Sequence, residues 1–510
     1  MEVLLAGHNI DRALIAELGR AGGAHAGATD PPAIDPDSLT PETLSAAYAR
    51  ISRDPRPIPQ LREEARNDVA RARRSNRQIV FGFGHASVAE HAVFNLDILG
   101  ISRLAVEALE GSRLGSYTEK SQRYILLERD TILPPEIAGG PLEGDFRRLI
   151  EMQQAGYLAA YERLSAHYAE TRPQQWADDG GRLDLEGAAR EDARYFLGLA
   201  TTGQLGATLN ARALEATVRR LAADPLEEVR ELAKRLHDAV APIAPSLLRY
   251  TSASPYRAET KEALRDRLRR ICPEAVGSDV QSAAGDSAHP GGNAVPVRLL
   301  DPIAGEADLL AALIHGCAEI SWSEAQRHVA RLDPAARETL ITESLARLSP
   351  HEPPLRAFEM IDLAYELILS ASCFAQLKRH RLATLLPQPY QPALGVTVPP
   401  SFAQAHLTSL YAETCRAAES LFARVHALHP PAAAYALTNG HRRRLLFKVN
   451  ARELYHIARL RLDEHAQWDI RALAGEMIRQ ARERLPRVMM FACGRDELLR
   501  SPHGRSGSTP

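Results

Sequence analysis

Two stretches of the chain alternate side-chain character with a period of two. Ala92, Phe94, Leu96 and Ile98 alternate with Val93, Asn95, Asp97 and Leu99; far downstream, Leu363, Tyr365, Leu367 and Leu369 alternate with Asp362, Ala364, Glu366 and Ile368. Residues two apart in an extended chain share a face, so each stretch is predicted to be a strand with one buried side. A helix is expected after each. Ser102 is placed to cap one running to about Leu109, and the second ends in Gln376-Leu-Lys-Arg379-His380-Arg381. Further helices are expected from Thr40-Pro41 to about Arg53, from Pro59 to Arg77 and from Phe146 to about Glu170. Pro225 cuts the helix that follows Asn210. Asn450 with Glu453 three residues on is close to a capping box, and Leu454, Ile457, Leu460, Ile470, Leu473, Met477 and Ala481 carry helical periodicity up to Pro486. On that helix Arg461 and His465, four apart, are expected to share a face. Residues 1–40 read as a short strand, a helix and a Gly/Pro/Asp-rich connection. Ala177 to Gly187 reads as an Asp/Gly-rich insertion, and 277–295 as a linker.

The part after the linker repeats the part before it. Asn210-Ala-Arg212 returns as Asn450-Ala-Arg452, and the end of the first strand–helix unit, Gly111-Ser112-Arg113, returns as Arg379-His380-Arg381. The offset is 268 residues at Arg113 but 240 at Asn210, so the second copy lacks about 28 residues in between. Alternating strands among longer helices give an α+β class. The expected domains are 1–250, a helical connection and linker over 251–295, a second domain over 296–495 and a disordered tail over 496–510.

Composition narrows the partners. A 510-residue chain with 45% hydrophobic and 25% charged residues is long enough for several cores and is that of a soluble globular protein. The net charge of −2 supplies no global basic field, and 5% aromatic content offers few base-stacking groups, so a nucleic-acid partner lacks support. Only five of the 62 basic residues are lysine, so a lone arginine says little and a cluster says more. Cys272, Cys317, Cys373, Cys415 and Cys493 form no C-x-x-C pair, which reads as reduced intracellular thiols and not as a disulfide framework or zinc site. Neither a signal peptide nor a membrane span is apparent, and a cytoplasmic location is expected.

Local chemistry concentrates in Gly111 to Tyr124. Glu119, Ser121 and Arg123 recur at every second residue, so an extended segment would point all three the same way. A guanidinium grips phosphate bidentately, a hydroxyl donates to the same oxygens, and a carboxylate accepts from a sugar hydroxyl or orients the arginine. On this stretch alone a solvated edge strand with alternating polar residues is the favoured reading. Upstream, Phe83-Gly-His85-Ala-Ser87-Val-Ala-Glu90-His91 delivers two histidines, a serine and a carboxylate from a glycine turn. The spacing is not H-E-x-x-H, which favours hydrogen bonding over a metal.

Together these residues resemble the flavin-dependent thymidylate synthase family. The resemblance rests on Gly84-His85…Glu90-His91, Ser102-Arg103 and Arg113-x-x-Ser116-Tyr-x-Glu119-x-Ser121-x-Arg123-Tyr124, matching the family's R-H-R followed by E-x-S-x-R-Y. The second copy supplies R-H-R literally at Arg379-His380-Arg381, with Asn450-Ala-Arg452…His456…Arg461…His465-Ala-Gln467-Trp468 resembling the family's closing motif. The resemblance covers roughly 40–250 and 296–493. It implies two tandem domains, each a small, mainly antiparallel sheet packed with long helices. It implies FAD as cofactor, methylenetetrahydrofolate and NADPH as co-substrates, dUMP as substrate, and a homodimer forming a pseudo-tetramer, with no nucleic-acid or membrane partner. By the same resemblance Glu119, Ser121, Arg123, Arg194 and Gln376 would hold dUMP. Arg461 would stabilise the ionised pyrimidine. His85, Ser87, Arg379, His380, Arg381, Asn450, Arg452 and His456 would contact the flavin. No metal is implied.

The copies depart from the pattern in complementary ways. The first has Gly111-Ser112-Arg113 for R-H-R, Ala108 for the glutamine and Leu221 at the pyrimidine arginine; the second has Pro387, Pro389 and Gln391 for the E-x-S-x-R residues, Pro354 for the first histidine and Ala434 for the other nucleotide arginine. One composite site drawing on both copies is therefore expected. No cysteine stands in a motif suited to attacking C6 of a pyrimidine, which fits a flavin route, where the protein supplies mainly positioning and charge. A diverged flavin enzyme acting on another pyrimidine nucleotide and a non-catalytic nucleotide-binding protein remain alternatives.

Overall fold

In the computed structural model, which describes residues 1–23, 38–127, 130–272, 296–301, 303, 305–349 and 351–500, each alternating stretch becomes an inner strand of its own four-stranded antiparallel sheet. The first sheet consists of β1 (Glu2–His8), β2 (Val93–Ser102), β3 (Gly115–Glu119) and β4 (Thr202–Asn210), in the order β1-β2-β4-β3. The second consists of β5 (Val297–Leu300), β6 (Asp362–Ser370), β7 (Thr384–Tyr390) and β8 (Arg442–Asn450), in the order β5-β6-β8-β7. The buried faces pair in the same register. Phe94, Leu96 and Ile98 lie opposite Leu209, Ala207 and Leu205, while Leu363, Tyr365 and Leu367 lie opposite Val449, Phe447 and Leu445. Each such large apolar side chain contributes about 1.5–3 kcal/mol by leaving water, and a one-residue slip would expose them all. In β2 the register shifts at Gly100, whose φ of +68° makes glycine the residue that can form the bulge. Pro387 lies in β7, an edge strand, where a missing N–H costs no ladder bond.

Both inner strands end in a serine that caps the next helix. Ser102 Oγ accepts from Ala105 N to start the helix Arg103–Glu110, and Ser370 Oγ accepts from Cys373 N to start Ala371–Leu377.

The chain divides into two compact units that interleave the repeats. Unit 1 comprises Met1–Ala155, Gly198–Ser278 and Ala417–Leu437; unit 2 comprises Gly156–Leu197, Asp279–Arg416 and Thr438–Pro510. Each unit thus holds a segment of the other repeat. Leu421, Val425 and Tyr435 join the core of unit 1 around Phe94, Leu149 and Leu232. In unit 2, Phe196 packs against Phe402 and Tyr411 with ring centroids 5.4 and 5.0 Å apart. Gly440 passes so close to the Tyr411 hydroxyl that a Cβ there would lie 1.7 Å from it.

Several expected elements differ. The helix expected over Pro59–Arg77 breaks at Asp68, whose carboxylate accepts from Arg71 N and restarts the chain as Val69–Asn76 after Ile58–Asn67. Most of the Asp/Gly-rich insertion is helical: Asp178 caps Asp179–Ala193 by accepting from Gly181 N. The closing helix is two, Ala451–Arg461 and Trp468–Arg484, separated by residues 462–467. The tail begins with the helix Arg495–Arg500. The 277–295 linker and residues 501–510 lie outside the described residues. Among the described residues, no helix is long and apolar enough to cross a membrane.

Candidate functional site

In unit 2, three local features converge. The short helix Ala371–Leu377 carries Gln376 and runs into the turn bearing Arg379-His380-Arg381. Asn450 starts the helix Ala451–Arg461 by accepting from Glu453 N, 2.8 Å away. The reciprocal half of a capping box is not made among the described bonds; the Glu453 carboxylate instead lies 3.3 Å from His380 Nδ1. At the other end of that helix Arg461 Nε donates to His380 Nε2 at 3.1 Å, and its Nη2 donates to the Gln376 carbonyl at 3.0 Å.

These bonds set the state of His380. A nitrogen that accepts from a guanidinium carries its lone pair, so the imidazole proton sits on Nδ1 and is donated to Glu453. Burial holds the His380 pKa below the usual histidine value, with the Arg461 charge acting in the same direction. The result is a neutral imidazole that aims a guanidinium. His456, one turn after Glu453, is exposed, and its ring lies 5.7 Å from that of His380. His380, Glu453 and His456 are close enough to share a cation, yet the Arg461 charge against His380 opposes one.

A chain of amides and hydroxyls runs on from Gln376. Gln376 Nε2 donates to Gln467 Oε1 at 2.7 Å, Gln467 Nε2 donates to the Tyr195 hydroxyl at 2.9 Å, and that hydroxyl donates to Asp469 Oδ2 at 2.8 Å. Ser370 Oγ donates to the same carboxylate oxygen at 2.6 Å. Tyr195 comes from the first repeat and stacks on Trp468, with ring centroids 5.7 Å apart. Trp468 Nε1 and Ser401 Oγ donate to the two oxygens of Asp192 at 2.8 and 2.6 Å. Burial pushes the Asp192 carboxyl up to about 6 and also raises the pKa of the Asp469 carboxyl and of the Tyr195 phenol. Arg194, also from the first repeat, is buried, and its carbonyl accepts from Asn439 Nδ2 at 3.0 Å.

The other expected residues take varied positions. Arg379 is exposed and Arg381 half-buried. Asn450 is engaged as a helix cap, and Arg452 donates to the Pro354 carbonyl and pairs with Glu359 at 3.3 Å. His465 does not share a face with Arg461: it lies in the break between the two helices, mostly exposed, with Nδ1 2.9 Å from Asp463.

Unit 1 holds the rest. The extended segment expected to align Glu119, Ser121 and Arg123 ends at Glu119, where β3 stops. Beyond it the chain turns, and Ser121 Oγ accepts from Arg123 N at 3.2 Å. Glu119 pairs with Arg103 at 2.8 Å beside a cavity of only about 20 Å³, so the carboxylate orients an arginine, but Arg103 and not Arg123. The Arg123 guanidinium lies 5.8 Å from the centroid of the Tyr124 ring. His85 and Ser87 are exposed after Gly84, whose φ is +77°. Glu90 pairs with Arg212 at 2.5 Å, and the His91 ring meets Tyr48 at 4.6 Å.

A family model described as thymidylate synthase complementing protein matches residues 37–246 and again 298–487. The chain belongs to this family. A flavin-dependent thymidylate synthase of Clostridium tetani is 31% identical over 179 residues, 34% of this chain and 69% of that protein. A UPF0159 protein of Thermoplasma acidophilum is 23% identical over 491 residues, 85% of this chain and 91% of its own length, so the doubled arrangement has long relatives. The crystal structure of a UMP/dUMP methylase from Streptomyces cacaoi, bound with 5-bromo-dUMP, aligns at 17% identity with a TM-score of 0.32, over 39% of this chain and 96% of its own.

Sequence reasoning missed two members of this hydrogen-bonded cluster, Tyr195 and Asp469. A signal was available. Ser102 and Ser370 recur one repeat apart, as do Tyr195 and Tyr435, and in unit 1 Ser102 Oγ and Tyr435 Oη both donate to Glu228 Oε2, at 2.5 and 2.7 Å. The same serine–carboxylate–tyrosine lock closes both units, each time with the tyrosine supplied by the other repeat.

Proposed function

We propose that this family member is a flavin-dependent enzyme that methylates dUMP at C5, with methylenetetrahydrofolate as carbon donor, NADPH as reductant and a nucleotide site drawing on both repeats. The observation that carries the reading is Arg461 held between neutral His380 and the Gln376 carbonyl. A guanidinium fixed in this way presents positive charge without reorganising when negative charge develops on a pyrimidine. Arg461 would stabilise the pyrimidine ionised at N3, whose negative charge is shared with the carbonyl oxygens and makes C5 nucleophilic; C5 bonds to the methylene carbon as that carbon's bond to the folate nitrogen breaks. C5 then loses its proton.

The donor set around R-H-R fits FAD. Two guanidiniums, Arg379 and Arg381, flank a neutral histidine at a helix end, and a pair of planar cations suits a pyrophosphate. His456, exposed in the same unit, would add a contact, and His85 and Ser87 of unit 1 are proposed as flavin-contacting by the family resemblance. The bound flavin supplies the hydride that turns the transferred methylene into a methyl group. Arg194 and Gln376, both in unit 2, would hold the nucleotide, and Glu119, Ser121 and Arg123 in unit 1 are proposed as a grip for a nucleotide phosphate and sugar. Asn450 and Arg452 would act through the helix they start.

Tritium release from C5-labelled dUMP, dependent on reductant and methylenetetrahydrofolate, tests the reading. Release coupled to dTMP formation and lost in Arg461→Ala supports it. A yellow protein that binds dUMP and releases no tritium contradicts it.

A further inference from the structure

The amide chain in unit 2 has a direction, and one end fixes it. Asp469 is buried and, as a carboxylate, offers only acceptors. The Tyr195 hydroxyl has one proton and donates it to Asp469 Oδ2. Its oxygen can then only accept from Gln467, which must turn Nε2 toward it. Gln467 Oε1 therefore faces Gln376 and requires Nε2 of that residue. The orientation of each amide, ordinarily ambiguous between nitrogen and oxygen, follows from the carboxylate at the end of the chain.

The duplication provides an internal control. The helices Glu227–Val240 and Trp468–Arg484 start at equivalent positions, with Leu226 where the second copy has Gln467 and Glu228 where it has Asp469. Unit 1 keeps the lock of Ser102, Glu228 and Tyr435, yet carries Ala108 for Gln376, Leu226 for Gln467, Leu221 for Arg461 and Ser112 for His380. An arginine one residue earlier, Arg220, donates there to Ser112 Oγ at 2.9 Å and to the Leu109 carbonyl at 3.3 Å, so unit 1 keeps the lock and a comparably placed guanidinium and lacks the amide pair. Stability alone thus accounts for the serine, carboxylate and tyrosine, whereas Gln467 goes with Gln376 and His380.

We infer that Gln467 and Tyr195 are positioning residues that hold the Gln376 side chain with its amide oxygen turned to the ligand, so that this point of the site takes a hydrogen-bond donor of the nucleotide. This rests on the proposed nucleotide site. Without Gln467 or the Tyr195 hydroxyl, the Gln376 amide can flip and meet that donor with N–H.

The test is a double-mutant cycle on dUMP affinity, measured by calorimetry on the full chain with flavin bound. Gln467→Met leaves the bond between Tyr195 and Asp469 in place and is expected to weaken dUMP about tenfold, a loss of one oriented hydrogen bond. Flavin occupancy, read from visible absorbance, should be unchanged. Tyr195→Phe should act alike. Because both act through Gln376, adding either change to Gln376→Met should weaken dUMP no further than Gln376→Met alone. Unchanged affinity in Gln467→Met, or additive losses in the double variants, overturns the inference while leaving the proposed function standing. Failure of the wild-type chain to bind dUMP overturns both, and is recognised before any variant is made.

Discussion

The chemistry of single residues here is set by what burial permits. His380 is neutral because a guanidinium occupies one nitrogen and burial opposes a second proton. Replacing it with phenylalanine should leave Arg461 without its acceptor and cut kcat by about tenfold to a hundredfold, the range for losing preorganisation at a charged group. A steady-state assay with dUMP checks this, and the KM for the folate should not move. Asp192 makes a separate prediction about pH. Its carboxyl is raised to about 6 from an ordinary 3.8, so the folded protein holds that proton more tightly than the unfolded chain. The associated stability is fully present below about pH 4 and is lost as pH rises through 6, on the order of 3 kcal/mol for two units. Denaturant midpoints should therefore fall across this interval less steeply in Asp192→Asn than in the wild type. Because Trp468 Nε1 donates to that carboxylate, Trp468 fluorescence should titrate near the same pH in a chain with Trp176 and Trp322 replaced by phenylalanine.

At the scale of elements, both locks join a helix cap to a carboxylate and a tyrosine from the other repeat. Ser102→Ala and Ser370→Ala should each cost about 1–3 kcal/mol, combining a lost cap with a carboxylate left short of a donor. Thermal denaturation checks both, and only Ser370→Ala should also weaken dUMP, since only its carboxylate anchors an amide chain. Strand–helix units were legible in the sequence because period-two patterns such as Phe94-Leu96-Ile98 and capping serines are local signals. The breaks were less so. Asp68 interrupts a basic run that reads as one helix, its carboxylate capping the restart without disturbing the pattern, and residues 462–467 interrupt an apolar periodicity that spans them. His465 was drawn into the site by the uninterrupted helix and leaves it with the break. The alignment of Glu119, Ser121 and Arg123 depended on an extended segment that stops at Glu119, the first of the three. The Tyr195–Asp469 bond joins residues 274 apart in sequence, beyond any local pattern.

For the whole molecule, the interleaving of repeats has consequences for folding. Unit 1 buries Leu421, Val425 and Tyr435 from the second repeat, and unit 2 contains Tyr195 and Phe196 from the first. Removing several such side chains, at about 1.5–3 kcal/mol each, exceeds much of a typical domain's 5–15 kcal/mol. Residues 1–278 and 279–510 expressed separately should each be insoluble or molten, and co-expression should restore a soluble complex; a well-folded isolated half would contradict the exchange. The proposed function assigns nucleotide binding to Arg123 and to Arg461. Arg123→Ala and Arg461→Ala should each abolish activity, and mixing the two variant chains should restore little if the nucleotide is held by one chain; substantial rescue would mean that it is shared between chains. The most direct measurement of the central claim remains tritium release from C5-labelled dUMP by the purified full-length chain supplied with reductant and methylenetetrahydrofolate. The account predicts release in step with dTMP formation, abolished by Arg461→Ala with dUMP and flavin still bound. Binding of both ligands with no release, or release unaffected by Arg461→Ala, would contradict it.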